Sequence, residues 1–264
     1  MNIRRLAGML IAISILLMNT NTFAEESRFK YDDIGYYSEN ITKVKINGKW
    51  GCIGKNGVEV IPAVYDEIGG FGWFELDDVA TIKRDGKMGY INRAGKEIVA
   101  PKYDLTTDFV DDRGKVMADG KWGFVDKTGK EIVPLLYDEA QFYRGDYTQV
   151  KKDGKWGFVD KNGKEIGKLI YEKIYPWGFE EGITATKRNG KWGFINREGL
   201  EVIPPKYQET SQWLFVGGLA AVLRDDRWGY IDNNAQEVIK PIYKGAGDFV
   251  GELAPVKLFT KWKY

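Results

Sequence analysis

The sequence predicts an all-β tandem repeat, and three observations carry that prediction. A tryptophan followed by glycine recurs at Trp50, Trp122, Trp156, Trp192 and Trp228, with Met88-Gly89 filling the one gap in the series. A tyrosine stands 15 residues after each of these positions, at Tyr65, Tyr103, Tyr137, Tyr171, Tyr207 and Tyr243, and Tyr31 opens the series. Between these landmarks the pattern alternates in short runs bounded by turn dipeptides, and helical periodicity is absent beyond the N-terminus. Self-similarity at a period of 34 to 38 residues means one supersecondary unit copied and stacked, because a single unit cannot bury its own apolar face. The expectation is an array of six full and one truncated antiparallel β-meander repeats, starting near residues 31, 65, 103, 137, 171, 207 and 243. It would form an open solenoid or spiral, or a propeller-like ring.

Each segment of the unit has its own justification. Six residues after each tyrosine stands a second aromatic, Tyr37, Phe71, Phe109, Tyr143, Trp177, Trp213 or Phe249. From there to the next Trp or Met the spacing is 13 residues in four units, 15 in units five and six, and 17 in unit two. Growth in even steps keeps later side chains on their original face of a strand. Asn47-Gly48, Asp85-Gly86, Asp119-Gly120, Asp153-Gly154 and Asn189-Gly190 are the dipeptides of two-residue hairpins, whose central residues need positive φ. The strand that follows is apolar on both faces, with Phe158 two residues after Trp156 and Val159 three after. Such a strand needs a layer on each side. Glycine after tryptophan lets an adjacent backbone or ring approach. A second turn carries Gly57, Gly95, Gly129, Gly163 or Gly199. The run after it, such as Glu131-Ile132-Val133-Pro134, suits a sheet edge, since proline cannot donate to a ladder. Three or four strands per unit follow, with the repeated tryptophans in the core.

The first 24 residues read as a secretory signal peptide, with a basic start at Arg4-Arg5, an apolar run from Leu6 to Met18 and small residues at Thr22 and Ala24. That run is short for a bilayer span, which takes about 17 to 25 residues. The expected mature chain, residues 25–264, keeps 37 basic and 38 acidic residues. It offers no basic excess for nucleic acid or an anionic membrane, and no integral membrane segment after cleavage. One cysteine, Cys52, allows no internal disulfide and occupies a slot held elsewhere by Phe or Tyr, the place of a small buried hydrophobe.

Histidine is absent, which removes the usual general base and the commonest metal ligand. A glutamate stands nine residues after each Trp or Met, at Glu59, Glu97, Glu131, Glu165, Glu201 and Glu237, and a Lys or Arg precedes each Trp or Met. A Ca2+ ladder lacks the full ligand pattern of a calcium loop. A site repeated six times suits structure better than catalysis, so cross-strand pairing or a turn hydrogen bond is expected of these carboxylates. Aromatics outside the common pattern, Trp73, Phe74, Phe179 and Phe215 in the longer segments, are the candidate ligand or partner contacts.

Gly-Lys-Trp-Gly-Phe-Val-Asp-Lys-Thr-Gly-Lys-Glu-Ile-Val-Pro followed by Tyr-Asp, residues 120–138, resembles the bacterial WG (Trp-Gly, or KWG) repeat family. Met88, Ala235 and Lys263 depart from its pattern. The resemblance implies a binding role and supplies no catalytic residue. The expectation is an exported, non-catalytic binding or scaffold module in the periplasm, at the cell surface or outside the cell, with a protein or envelope-glycan partner and no metal or cofactor. A carbohydrate-binding module is the second reading, and a carboxylate-based hydrolase the third.

Overall fold

The computed structural model describes residues 31–259 except 39, 72–77, 212–214, 216 and 235, with backbone only at 36–38. The expected signal peptide, Trp73, Phe74, Ala235 and Lys263 therefore lie outside the described residues. Within them the chain forms 26 strands and no helix. Six four-stranded antiparallel sheets, each in sequential strand order, are followed by a two-stranded ribbon. There are thus four strands per complete repeat. Sheet 1 contains Asp33–Ser38, Ile41–Ile46, Lys49–Gly54 and Glu59–Tyr65; sheet 2 contains Glu67–Ile68, Val79–Arg84, Lys87–Asn92 and Glu97–Tyr103. Sheets 3 to 6 run likewise over residues 105–137, 139–171, 173–207 and 209–243, and the ribbon pairs Gly245–Ala246 with Val256–Lys257. Each sheet begins just after a landmark tyrosine.

Local chemistry accounts for the turns. Lys152 pairs with Lys155 across a loop of two residues, and both of those, Asp153 and Gly154, have positive φ, as a primed hairpin turn requires. At the second turn one side-chain oxygen closes the loop: Asp160 Oδ1 accepts from the backbone N–H of Asn162 (2.8 Å) and Lys164 (2.9 Å). Asp126, Asn196 and Asp232 do the same. This is the aspartate that a calcium-loop reading would have needed as a ligand.

The chain divides into two compact units, at Leu135 and Leu136. In the first, Cys52, Ile61 and Tyr65 of sheet 1 pack on Ile68, Ala80, Ile82 and Ile91 of sheet 2. Tyr90, Val99 and Tyr103 of sheet 2 then pack on Phe109, Val116 and Val125 of sheet 3. In the second, Phe158 and Tyr171 of sheet 4 meet Ile174 and Ile195 of sheet 5, and Phe194, Ile203 and Tyr207 meet Ala220, Val222 and Ile231 of sheet 6. Successive side chains on one strand therefore serve two different interfaces, which is why the third strand is apolar on both faces.

Two sequence expectations are corrected here, and the close approach of an adjacent backbone to the glycine after each tryptophan is present within its own repeat. The repeated tryptophans are half-buried rather than core: Trp50, Trp156 and Trp192 pack against the cluster edges, and a lysine ammonium lies 5.4, 5.5 and 5.8 Å from their ring centroids. Each tryptophan is the second residue of its strand, beside the hairpin turn, where the layer runs out. The glycine after it answers to its own repeat. Trp192 pairs with Tyr207 and Phe194 with Ile203, so Lys206 and the two prolines before it bulge opposite Gly193, and a Cβ there would lie 2.6 Å from the Ile203 carbonyl oxygen. Finally, the even length steps do not come from strand register, because the extra residues enter the loop before the second strand, which has six residues in every sheet.

The second-turn glycine carries a contact between repeats. Gly129 has φ +87°, and a Cβ would lie 2.3 Å from the carbonyl oxygen of Ile98 in sheet 2; Gly120, at φ +71°, has nothing within 4 Å. Gly120→Ala should cost about 1 to 2 kcal/mol, the penalty for a left-handed non-glycine residue, and Gly129→Ala clearly more. Equal urea midpoints for the two variants would show that this turn does not seat on the preceding sheet.

Candidate functional site

Four of the six repeated carboxylates, Glu97, Glu131, Glu201 and Glu237, are tied into the fold. Tyr65 Oη donates to Glu97 Oε1 of the next repeat at 2.7 Å, and Tyr103 to Glu131 and Tyr207 to Glu237 at 2.9 Å. Arg84 reaches Glu97 at 2.7 Å and Arg188 reaches Glu201 at 2.6 Å. Arg224 pairs with Glu237 through both guanidinium nitrogens. The glutamates do pair with cations, but with Arg84, Arg188, Arg224, Lys102 and Lys206 rather than with the basic residue before the tryptophan, and the main additional partner is the landmark tyrosine of the repeat before. Burial and the hydrogen bond to Glu97 push the Tyr65 phenol up to about 12. The hydrogen bond from Tyr103 holds the Glu131 carboxyl below its ordinary value against burial. At Glu237 burial opposes ionisation most, and donation from Tyr207, Arg224 and Lys206 outweighs it.

The residue after the tyrosine and the lysine before the tryptophan form a second clamp. Asp66 accepts from Lys49 Nζ of sheet 1 at 2.5 Å and from the Asp85 turn N–H of sheet 2 at 2.8 Å. Asp104 accepts from Lys87 and Asp119 in the same way. The recurring Tyr-Asp and Lys-Trp pairs are thus two halves of an inter-repeat fastening.

The nominated aromatics move to other roles. Phe179 and Phe215 are 7% and 5% exposed, so they are core and not contact rings. Phe179 lies 4.8 Å from Phe158, and Phe215 lies 6.1 Å from Phe194. Phe109 meets Tyr90, and Phe249 meets Tyr230, in the same way. All four aromatics stand 13 residues before the next Trp position. Counting back 13 residues from the tryptophan finds the core ring in repeats five and six, two residues beyond the landmark aromatic, whereas in repeat two the landmark Phe71 is itself buried. In repeat five that shift of two residues releases the landmark Trp177.

Trp177 is 48% exposed, and Phe142 is 46% exposed. The Arg144 guanidinium sits 5.2 Å from the Trp177 ring centroid, a favourable cation–π separation. Beside Phe142 lies a recess of about 90 Å³, lined in part by Phe142, Arg144, Gln149 and Pro176. Gln149 is buried, and its Nε2 is fixed to the Tyr175 carbonyl at 2.9 Å. Arg197 stacks on Tyr147 and Phe179 beneath this surface. A rigid aromatic pair with a stacked arginine is the composition of a binding hot spot. Sequence reasoning passed over Phe142 because no repeat rule marks it.

Cys52 is buried, and desolvation pushes its thiol up to about 11, which makes it a filler of the core.

Stacked four-stranded meanders fastened by Tyr–Glu and Asp–Lys pairs define a tandem-repeat β protein of the WG type. The model described as "WG containing repeat" matches seven successive segments, residues 27–50, 50–87, 88–122, 122–156, 156–192, 192–228 and 228–262, and the chain belongs to that family. No curated protein matches it in sequence. Among solved structures, Hsv2 of Kluyveromyces lactis is similar over 76% of this chain and 75% of its own, at 10% identity and a TM-score of 0.35. PorZ, a bacterial surface component of the type-IX secretion system of Porphyromonas gingivalis, is similar over 88% of this chain and 38% of its own, at 10% identity and a TM-score of 0.30. Neither likeness bears on function.

The clamps give stability two pH limits. Glu131 and Glu237 titrate below the ordinary glutamate value, so their contribution is full above about pH 4.3 and is lost as pH falls through their folded values. The raised Tyr65 and Tyr103 phenols contribute fully below about pH 10, and that contribution is lost as pH rises through their folded values. Tyr103→Phe should cost about 1 kcal/mol at neutral pH and move the acid limb toward the ordinary value. Urea midpoints across pH measure both, and an unchanged acid limb would remove Tyr103 from the clamp. In the native protein Cys52 should react with a thiol reagent only as fast as the chain unfolds, and rapid labelling under native conditions would contradict its burial.

Proposed function

We propose that the protein is an exported, non-catalytic binding or scaffold module of the cell envelope, with a protein partner docking on Phe142, Arg144 and Trp177. One observation carries the reading: Trp177 remains about half exposed where the corresponding aromatics Phe71, Phe109 and Tyr143 are buried, and Phe142 is about half exposed as well. Exposed aromatics rarely persist without a partner to cover them. The mixed aromatic and cationic character favours a protein surface over a glycan, whose rings need open, flat platforms, because Arg144 already stacks on Trp177.

Other features support the same reading. Four of the six repeated carboxylates, Glu97, Glu131, Glu201 and Glu237, are held by tyrosine, arginine or lysine, which supports a structural role for them over that of a hydrolase acid pair. Among the described residues no helix is long and apolar enough to cross a membrane. Export rests on the basic, then apolar, then small-residue pattern of residues 1–24, and the intact mass of the native protein should correspond to a chain beginning near Glu25.

Trp177→Ala and Phe142→Ala should each change stability by no more than about 0.5 kcal/mol, as surface substitutions do. Each should weaken capture of the envelope partner by about 2 kcal/mol or more. Wild-type capture by both stable variants would reject this surface, and selective retention on peptidoglycan or polysaccharide would favour the glycan reading.

A further inference from the structure

Sheet 2 is the one four-stranded sheet with methionine, Met88, at the position held by Trp50, Trp122, Trp156, Trp192 and Trp228. Beside Met88 lies a recess of about 260 Å³ with an apolar floor of Trp50, Ile68, Ile82 and Met88 and a rim carrying Lys43 and Lys83. Gly69, like Gly35 and Gly247 at the same place in their repeats, contributes no side chain here. Met88 is the departure from the repeat that falls on this recess.

The rim is cationic. Lys43 Nζ donates to the Ile68 carbonyl at 2.8 Å, which fixes the ammonium at the mouth and leaves further N–H groups for a second acceptor. Lys83 lies 3.8 Å from Glu67, and Lys45 lies over the Trp50 ring. Two ammonium groups and one carboxylate, Glu67, therefore line the recess, with the Lys45 ammonium beside it on Trp50. Pockets with an aromatic or aliphatic floor and a few convergent polar groups are the usual form of small-molecule sites.

We propose that this recess binds a small anionic molecule with a flat apolar body, of the aryl-carboxylate class. The ring lies against Trp50 and Met88, and the carboxylate accepts hydrogen bonds from Lys43 and Lys83. Methionine, an unbranched and adaptable side chain, shapes itself to such a guest, whereas a tryptophan at this position occupies the guest's place.

The test uses indole-3-acetate as the probe, titrated calorimetrically into the mature protein. Met88→Trp installs the residue that the other repeats carry, so it should fold with a urea midpoint no lower than wild type while weakening binding about tenfold or more. Met88→Phe serves as a second occluding variant should the first misfold. Lys83→Gln should weaken binding several-fold and reduce its salt dependence, and the neutral indole-3-acetamide should bind more weakly than the acid. A folded Met88→Trp protein that binds as wild type does would overturn the proposal. So would equal affinity for acid and amide, or no wild-type binding at millimolar probe.

Discussion

Each third strand is apolar on both faces, and everything else in the fold follows from covering them. Phe158 and Val159 are adjacent in sequence and both buried, so a single sheet exposes two hydrophobic surfaces of which its own chain covers neither. Stacking onto the next sheet resolves this, one interface at a time. The tyrosine that ends each sheet enters that interface with its ring, and Tyr65, Tyr103 and Tyr207 place their hydroxyls on a glutamate of the following repeat. Removing apolar area from water supplies the drive, at roughly 25 cal/mol per Å². The hydroxyl–carboxylate bond sets the register at which the sheets meet.

The polar residues of the repeat are best understood as answers to backbone groups and charges that stacking would otherwise leave unsatisfied. Asp66 and Asp104 take the hairpin N–H of their own sheet and the lysine of the sheet before. Asp160 and its equivalents close the second turn. Glycine does two separate jobs: Gly193 leaves room for a bulge in its own repeat, and Gly129 lets one sheet's turn touch its neighbour's backbone. A repeated motif of chemically active residues is here almost wholly consumed by architecture. The binding surfaces proposed above lie at positions where one repeat differs from the rest, such as Met88 and Trp177.

The candidate site was legible in kind but not in place. The longer loops did hold informative aromatics, yet Phe179 and Phe215 pack on Phe158 and Phe194, while Trp177 faces out. A two-residue insertion can be absorbed before or after a core ring, and spacing measured from one end alone cannot say which. Phe142 lies beside a buried landmark, Tyr143, in the loop between two strands, where no strand periodicity tells which ring faces out. The tryptophans show the converse: their regular spacing marked them as core, but a ring beside a hairpin turn is covered on one side only and finishes under a lysine.

By itself the sequence determined the strand content, the repeat boundaries, the two turns and the double-sided burial of the third strand, because these depend on residue type and local spacing. Turn chemistry and alternation act over a few residues, and both are written directly in the chain. Only the tertiary structure decided which carboxylate meets which tyrosine, which glycine serves its own repeat and which its neighbour, and which aromatics remain in water. Those outcomes depend on how two sheets are displaced against each other. That displacement is a balance of packing, bulge and clamp that no single repeat contains.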